Sequence, residues 1–378
     1  MADSPPVPPA GRPSGAPAPP PGWGRGGQPA GEPPSRRWGW AAVVAALVVG
    51  AVWLLYERWG RQFDWRAFAA SFGGLDWRWV AVAAAAALAT YWGRALRWAV
   101  MLWPLRRRPS LWGLFTATAI GFAAVVLLGR PAELVRPYLI AARERVPFSS
   151  QLGAWILERM ADLLAMLLVF GFALTQVSAS RPGLGAGLKW VLTVGGYFAG
   201  ATAVALVVVL LLVRHSAQGV RQRLMEALGF LPAHRLKRVE RMLTAFLEGL
   251  GAVRGRAAVL WFIGYTVLEW VLVALCVWAL LKAYNGMLAL GWGDVMVFMG
   301  LVSFGSVLQV PGVGGGVQIA TVVVLRELHG VPLEVAGSVA VMVWAITVVV
   351  IVPIGLPLAL HEGLTWKRIK QLGVEAER

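Results

Sequence analysis

Charged side chains lie within apolar segments at several points of the chain, where each of them needs a partner. Glu158, Arg159 and Asp162 form one such group, in an apolar run at about residues 152–177. Glu158 and Asp162 are four residues apart, so in a helix they share one face and repel each other. Burying a charge in hydrocarbon costs about 3 kcal/mol or more. The pair therefore predicts a nearby cation, and the alternative is a surface cluster at the membrane edge.

Arginines elsewhere in the sequence are candidates for that cation. Arg130, Glu133 and Arg136 are spaced to share a helical face beside a Gly-Arg-Pro break. The alternative for this group is a capped helix end whose arginines face water. Arg94 and Arg97, near the end of an earlier apolar run, could reach the same carboxylates from another helix.

A glycine-rich segment, Pro311–Gln318, interrupts a later apolar stretch. Such a turn exposes backbone N–H groups and can begin a helix, and helix starts bind anions such as phosphate. Together the groups predict a substrate site made of Arg94, Arg97, Arg130, Glu133, Arg136, Glu158, Arg159, Asp162, Gln309, Gly312, Gly314, Gly315 and Gln318.

The remaining polar residues indicate no catalysis. Glu269 lies alone in an apolar run, where it is either functional or, more plainly, paired with an arginine. The four histidines have no metal spacing, and Cys276 is predicted to be a small buried apolar residue. No catalytic triad order, phosphate-binding Walker loop or zinc-protease motif occurs. We therefore expect no catalytic residue, no metal and no cofactor.

The elements that position these residues must be membrane helices. Of 378 residues, 58% are hydrophobic and 14% charged, against about 25% charged in soluble domains. Apolar runs of about 20 residues match the bilayer core. Runs that are apolar all round, such as Ala41–Leu55, exclude the alternation of a β-barrel. The net charge of +16 comes from basic residues in short loops beside apolar runs, which argues against nucleic acid as a partner.

Loop charges predict the topology. The basic loops are predicted to be cytoplasmic, and the charge-poor loops at 178–189 and 283–293 to lie outside. Leu111–Leu128 would then begin and end inside, and Val295–Leu325 would begin and end outside. Each is therefore predicted to form a re-entrant helical pair. Six full spans are expected at about residues 38–56, 77–98, 152–177, 190–213, 258–281 and 334–358.

The predicted fold is thus an all-α polytopic helix bundle with an inverted repeat, in the bacterial inner (plasma) membrane with both termini cytoplasmic. Residues 1–37 are predicted to be a disordered Pro/Gly-rich tail, 38–360 the transmembrane domain and 361–378 a short basic tail. The basic loop at 214–257 contains an amphipathic helix. This helix is predicted either to lie on the membrane surface or to pack on cytoplasmic loops.

Four segments, in order, resemble one family. Gly129–Arg136 resembles the GRxGExxR segment of the lysylphosphatidylglycerol synthase transmembrane-region family, the flippase-like domain proteins. Glu158–Asp162 resembles that family's ER-x-x-D segment, and Pro311–Gln318 its PGGxGxxE turn. Arg94–Trp98 is similar to its RxxRW span end, and the order holds over about residues 40–360.

Three positions depart from the family pattern. Ala132 replaces a glycine, Gln318 stands where a glutamate is frequent, and Trp344 lies near a usual arginine. The charges of the site are therefore expected to differ from the family pattern. Full-length synthases of the family also carry a soluble aminoacyl-transfer domain. The chain ends about a dozen residues after Trp366, so the resemblance implies the flippase-like membrane part alone.

The leading functional prediction is a translocase or binding transporter for an anionic phospholipid or a lipid-linked substrate, without catalysis of its own. The alternative is a membrane subunit or partner of a separately encoded lipid-modifying enzyme, such as a glycosyltransferase or aminoacyltransferase. Membrane lipids are the expected partners, and a homo-oligomer is compatible with the sequence. Arg130→Ala is expected to reduce lipid transport, and Arg159→Ala to destabilise the protein by stranding two carboxylates.

Overall fold

The computed structural model describes residues 63–177, 184–227, 233–253, 255–284, 286–288, 290–305, 309–310 and 314–363. The predicted first span, the N-terminal tail and most of the C-terminal tail lie outside these residues. The described elements are, in chain order, α1 (Trp65–Gly73), α2 (Trp77–Leu102), α3 (Leu111–Leu128), a 3-10 helix (Arg130–Leu134), α4 (Val135–Glu144), α5 (Phe148–Gln176), α6 (Ala186–Ala227), α7 (Ala233–Leu250), α8 (Arg256–Ala283), α9 (Trp292–Gly305), β1 (Gln309–Val310), β2 (Gly314–Gly315), α10 (Gly316–His329) and α11 (Leu333–His361).

Long apolar helices dominate the described residues. Among the residues that the structure describes, five helical segments are long and apolar enough to cross a membrane: α2, α3, α8, α11 and the first part of α6. The helix α5 has 29 residues, but the charges of Glu158, Arg159 and Asp162 interrupt its apolar sequence. Strand structure in the described part is limited to one antiparallel pair of two-residue strands, β1 and β2. The predicted all-α membrane helix bundle is confirmed.

The helices α3 and α4 form a hairpin. Gly129 ends α3 with φ 81°, a conformation that favours glycine, and the chain turns back through the 3-10 helix. At the other end, the Glu144 carboxylate of α4 accepts a hydrogen bond from the Ser110 N–H at the start of α3, at 3.1 Å. The same carboxylate pairs with Arg106 at 2.6 Å. The hairpin thus begins and ends at one level, which is the geometry of a re-entrant pair.

A second hairpin follows in the other half of the chain. The helices α9 and α10 have 14 residues each, so each is about 21 Å long, against a hydrocarbon core of roughly 30 Å. They pack on each other, and a Cβ atom on Gly305 would overlap the Gly316 carbonyl. The paired strands β1 and β2 therefore lie at the tip of a hairpin that is too short to cross twice.

The two halves are related as an inverted repeat. Each half has the order span, hairpin, span: α2 to α5 and α8 to α11. The corresponding helices α2 and α8 run antiparallel, because the Asp76 N–H bonds to the Ala283 carbonyl at 2.9 Å and the Trp79 ring lies 5.0 Å from Trp278. The hairpin helix α3 packs on α11, and its counterpart α9 packs on α5. Opposed halves of this kind are typical of transporters.

The helix α7 lies against the start of α5. Gly153 of α5 meets the backbone of α7 at Phe246 and Leu250, and Gly249 of α7 meets the Ser150 carbonyl. This amphipathic helix was predicted to lie on the membrane surface or to pack on cytoplasmic loops, and in the structure it packs on α5. The preceding helix α6 continues past residue 213 to Ala227, because the sequence between contains no proline to end it.

We expect Gly249→Ala to loosen α7 from α5. The new Cβ would overlap the Ser150 carbonyl, and overpacking of this kind costs about 1–3 kcal/mol. Limited trypsin digestion should cleave the variant faster within residues 233–253. The matched control is Gly219→Ala on α6, since a Cβ there meets nothing within 4 Å. Equal cleavage of both variants would contradict the glycine contact.

Candidate functional site

Two arginines one turn apart on α2 lie at the centre of the site. Arg94 and Arg97 are three residues apart, so both project from one side of the helix. The Arg97 side chain is fully buried, and its guanidinium bonds to Glu158 at 2.6 Å and to Asp162 at 2.7 Å. Arg97 is thus the cation that the two like charges on α5 require.

Glu158 is held from a second side by Arg136 of α4. Arg136 Nη1 donates to the two Glu158 carboxylate oxygens at 3.2 and 3.0 Å. Its guanidinium also lies 4.1 Å from the centre of the Trp98 ring of α2, a stacking that arginine favours. Because Arg136 lies at the start of α4, these bonds fasten the first hairpin to both α2 and α5.

Glu269 of α8 completes the arrangement. Its carboxylate lies 2.5 Å from Arg94 Nη2 and 3.2 Å from Arg97 Nη2, and the residue is only 1% exposed. The plainer expectation, pairing with an arginine, is confirmed. Glu269 was not among the predicted site residues, although a lone carboxylate inside an apolar run was the available signal.

The charged cluster is defined as these seven residues: Arg94, Arg97, Arg136, Glu158, Arg159, Asp162 and Glu269. It contains four arginines and three carboxylates, so its formal charge is 4 − 3 = +1 when all are ionised. Within the described structure, one buried nitrogen of each arginine has no hydrogen-bond partner: Arg94 Nη1, Arg97 Nε, Arg136 Nε and Arg159 Nε. A surplus of positive charge and unpaired donors favours an anionic ligand.

A cavity of about 530 Å³ adjoins the charged cluster. Its charged end is formed by Arg94, Arg159, Asp162 and Glu269. The rest of its wall is mainly apolar and comes from both halves of the repeat, including Leu163, Met166, Val273, Phe298, Val302 and Val343. A charged end joined to an apolar space fits an amphiphile, because each part of such a molecule finds a matching wall.

Burial divides the cluster into an inner and an outer part. The side chains of Arg97 and Glu158 are 0% exposed, whereas Arg159 is 36% exposed. Arg159 lies 3.6 Å from Glu158 and 3.2 Å from Asp162, and both carboxylates make shorter bonds to Arg97. Arg159→Ala was expected to strand these carboxylates. The geometry assigns that stabilising role to Arg97 and leaves Arg159 at the cavity wall.

The structure describes the side chains of two residues of the first predicted motif, Glu133 and Arg136. The backbone of Arg130 begins the 3-10 helix, and its side chain lies outside the described part. Glu133 is half-buried in that short helix. Arg136 is bonded to the Glu158 carboxylate of α5, and the predicted contact of Arg130 lies outside the described residues.

The glycine-rich segment differs from the prediction in one respect. Gly312 and the Gln309 side chain lie outside the described residues, while Gly314 and Gly315 form β2. The Gly315 N–H, expected to be open to an anion, donates to the Gln318 side-chain oxygen at 2.7 Å. The segment still borders the cavity, because Val317 lines it.

Comparison with known proteins gives one match. A family model described as lysylphosphatidylglycerol synthase TM region matches residues 40–355, which include every residue of the charged cluster. No curated protein and no solved structure matches the chain. The matched range spans both halves of the inverted repeat.

Proposed function

Since the chain belongs to the lysylphosphatidylglycerol synthase transmembrane-region family, we propose that its cavity binds an anionic membrane lipid and that the protein moves this lipid between leaflets. The observation that carries the proposal is the cavity itself, with a charged end and an apolar remainder between two inverted halves. The basic loops support a location in the inner (plasma) membrane with cytoplasmic termini.

The charged end suits a phosphate group. Arg159 and Arg94 line it, and arginine binds phosphate through two parallel N–H bonds, a geometry that lysine cannot reproduce. The net charge of the cluster, +1 from four arginines and three carboxylates, matches one phosphodiester anion. The headgroup would therefore exchange its water for donors already held in place.

The apolar part of the cavity suits the adjoining hydrocarbon. The volume of about 530 Å³ lies within the range of roughly 300–1,000 Å³ for small-molecule sites. It has room for a headgroup and the first part of a chain, and each buried methylene contributes about 0.8 kcal/mol. Neutral and anionic lipids would gain the same binding free energy from burial of their hydrocarbon, so selectivity between them would come from the charged end.

The position of the charged cluster supports movement of the lipid between leaflets. Glu269 is midway along the 28-residue helix α8, about 20 Å from either end. A headgroup at this depth would be in contact with charged groups rather than hydrocarbon, which removes much of the barrier to crossing. Rocking of inverted halves around a central site is the usual route to alternating access.

The chain's single cysteine provides a direct test, because Cys276 lines the cavity. In phosphatidylcholine nanodiscs, added phosphatidylglycerol should slow modification of Cys276 by a small uncharged maleimide at least threefold. Added phosphatidylcholine should have no effect, and glycerol phosphate, which lacks the chains, should protect much less. Cys276→Ala gives the background. Equal rates with both lipids would contradict anionic-lipid binding.

Transport is measured separately in proteoliposomes. A fluorescent phosphatidylglycerol should become accessible to a membrane-impermeant quencher faster than in protein-free vesicles. Protection of Cys276 without faster movement would contradict translocation. It would favour the other function compatible with this cavity, that of a lipid-holding partner for a separate lipid-modifying enzyme.

A further inference from the structure

Glu269 differs from the other carboxylates of the charged cluster in how it is held. Glu158 bonds to both Arg97 and Arg136, and Asp162 bonds to Arg97 at 2.7 Å. Glu269 lies 2.5 Å from Arg94 Nη2 and 3.2 Å from Arg97 Nη2, and its Oε2 atom has no hydrogen-bond partner among the described residues. Its shortest contact is therefore the one to Arg94.

A lipid phosphate at the cavity wall would compete for the same guanidinium. Bidentate binding of phosphate uses two nitrogens of an arginine. On Arg94, Nη1 has no hydrogen-bond partner and lies 3.6 Å from Asp162, whereas one of the two N–H groups of Nη2 bonds to Glu269. A phosphate bound to both nitrogens would lie directly beside the Glu269 carboxylate, and repulsion between the two anions favours displacement of the carboxylate.

We propose that binding of the lipid phosphate displaces Glu269 from Arg94 and that Glu269 then takes up one proton. This inference rests on the proposed lipid-binding function. A displaced carboxylate that is 1% exposed in the middle of a membrane helix is poorly solvated, and protonation neutralises a buried charge that has lost its closest ion-pair partner. The balance is one phosphodiester anion and one proton bound, with the Arg94–Glu269 ion pair exchanged for an Arg94–phosphate pair.

The remaining charged groups around Glu269 do not replace Arg94. From α2, Arg97 lies 3.2 Å away, but it is already bonded to Glu158 and Asp162. From α5, Glu158 and Asp162 add negative charge, which disfavours a further free carboxylate. Arg159 of the same helix pairs with these two carboxylates, at 3.6 and 3.2 Å. The cavity walls contributed by α9, α10 and α11 consist of apolar and hydroxyl side chains, namely Phe298, Met299, Val302, Ser303, Val317, Val343, Ile346 and Thr347.

The sign of the pH dependence follows from the proton balance. Because a proton is bound together with the lipid, affinity rises as the pH falls, by at most tenfold per pH unit for one proton. The phosphodiester keeps its single charge throughout the neutral range. An anion and a proton that cross together carry no net charge, so a pH gradient would drive the transport and a membrane potential would not.

The test uses full-length protein in phosphatidylcholine nanodiscs and dioctanoyl phosphatidylglycerol as the probe. Between pH 5.5 and 8.5, wild-type affinity should fall by at least tenfold, and lipid addition in weak buffer should remove protons from solution. Glu269→Gln, which carries no titratable proton, should bind at pH 8.5 about as tightly as at pH 5.5. The control Glu327→Gln, a carboxylate bonded to the Gly185 N–H outside the cavity, should keep the wild-type slope.

The outcomes separate this inference from the proposed function. Lipid binding with a flat pH profile in the wild type would overturn proton coupling and leave lipid binding intact. If the lipid affinity of Glu269→Gln still depended on pH as in the wild type, the assignment of the bound proton to Glu269 would be overturned. Absence of phosphatidylglycerol binding by the wild type at every pH would overturn the proposed function and, with it, the coupling.

Discussion

Replacing Arg97 with methionine should prevent most of the protein from accumulating in a folded state. Arg97 is fully buried and contacts all three carboxylates of the charged cluster, at 2.6 Å from Glu158, 2.7 Å from Asp162 and 3.2 Å from Glu269. Methionine keeps most of the side-chain volume, so the loss is mainly one of charge. Removing one partner of a buried ion pair costs about 3–5 kcal/mol, a large part of a typical stability of about 5–15 kcal/mol.

The yield of monodisperse protein in detergent and its thermal unfolding midpoint measure this effect. Arg66→Met, at an exposed arginine on α1, is the control for loss of an arginine alone and should behave as the wild type. The double variant Arg97→Met/Asp162→Asn leaves Glu158 with Arg136 and Glu269 with Arg94. It should recover much of the lost yield. A single Arg97→Met variant as stable as Arg66→Met would show that Arg97 is dispensable.

The arrangement of the helices could be predicted largely from loop charges and interrupted apolar runs. Both hairpins were expected because the loops before and after each of Leu111–Leu128 and Val295–Leu325 are predicted to lie on the same side of the membrane. The antiparallel contact of α2 with α8 was implied only by the repeat. The docking of α7 on α5 was open, since an amphipathic face fits either a membrane or a protein surface. The close approach of Gly153 and Gly249 to the partner backbones decides it.

The site could be predicted only in part. The spacing of residues along one helix is visible in the sequence, whereas the contacts between helices are not. The four-residue spacing of Glu158 and Asp162 indicated that a cation must be near. It could not indicate which arginine, since Arg97 is 61 residues before Glu158 and Arg136 only 22 residues before it, on the preceding helix α4. Glu269 is still more distant in the sequence, because it lies in the second half of the inverted repeat. The Gly315–Gln318 bond did have a local signal, because glutamine three residues after a helix cap commonly bonds back to the cap N–H.

The position of Arg159 at the cavity wall leads to the second large effect. Arg159→Gln should weaken binding of dioctanoyl phosphatidylglycerol by about 10–100-fold, because a hydrogen bond to a charged group contributes about 1.5–3 kcal/mol. Stability should change little, since Glu158 and Asp162 keep their shorter bonds to Arg97. Cys276 protection gives the affinity, and the unfolding midpoint gives the stability.

The control for this substitution is Arg326→Gln, at an exposed arginine on α10 that is not part of the cavity wall. Both variants lose one positive charge, so a general change in the attraction of anionic lipid to the protein surface would appear equally in both. A loss confined to Arg159→Gln therefore places the phosphate at the cavity. If Arg159→Gln instead unfolds the protein, or binds the lipid as the wild type does, the division into a structural Arg97 and a ligand-facing Arg159 is wrong.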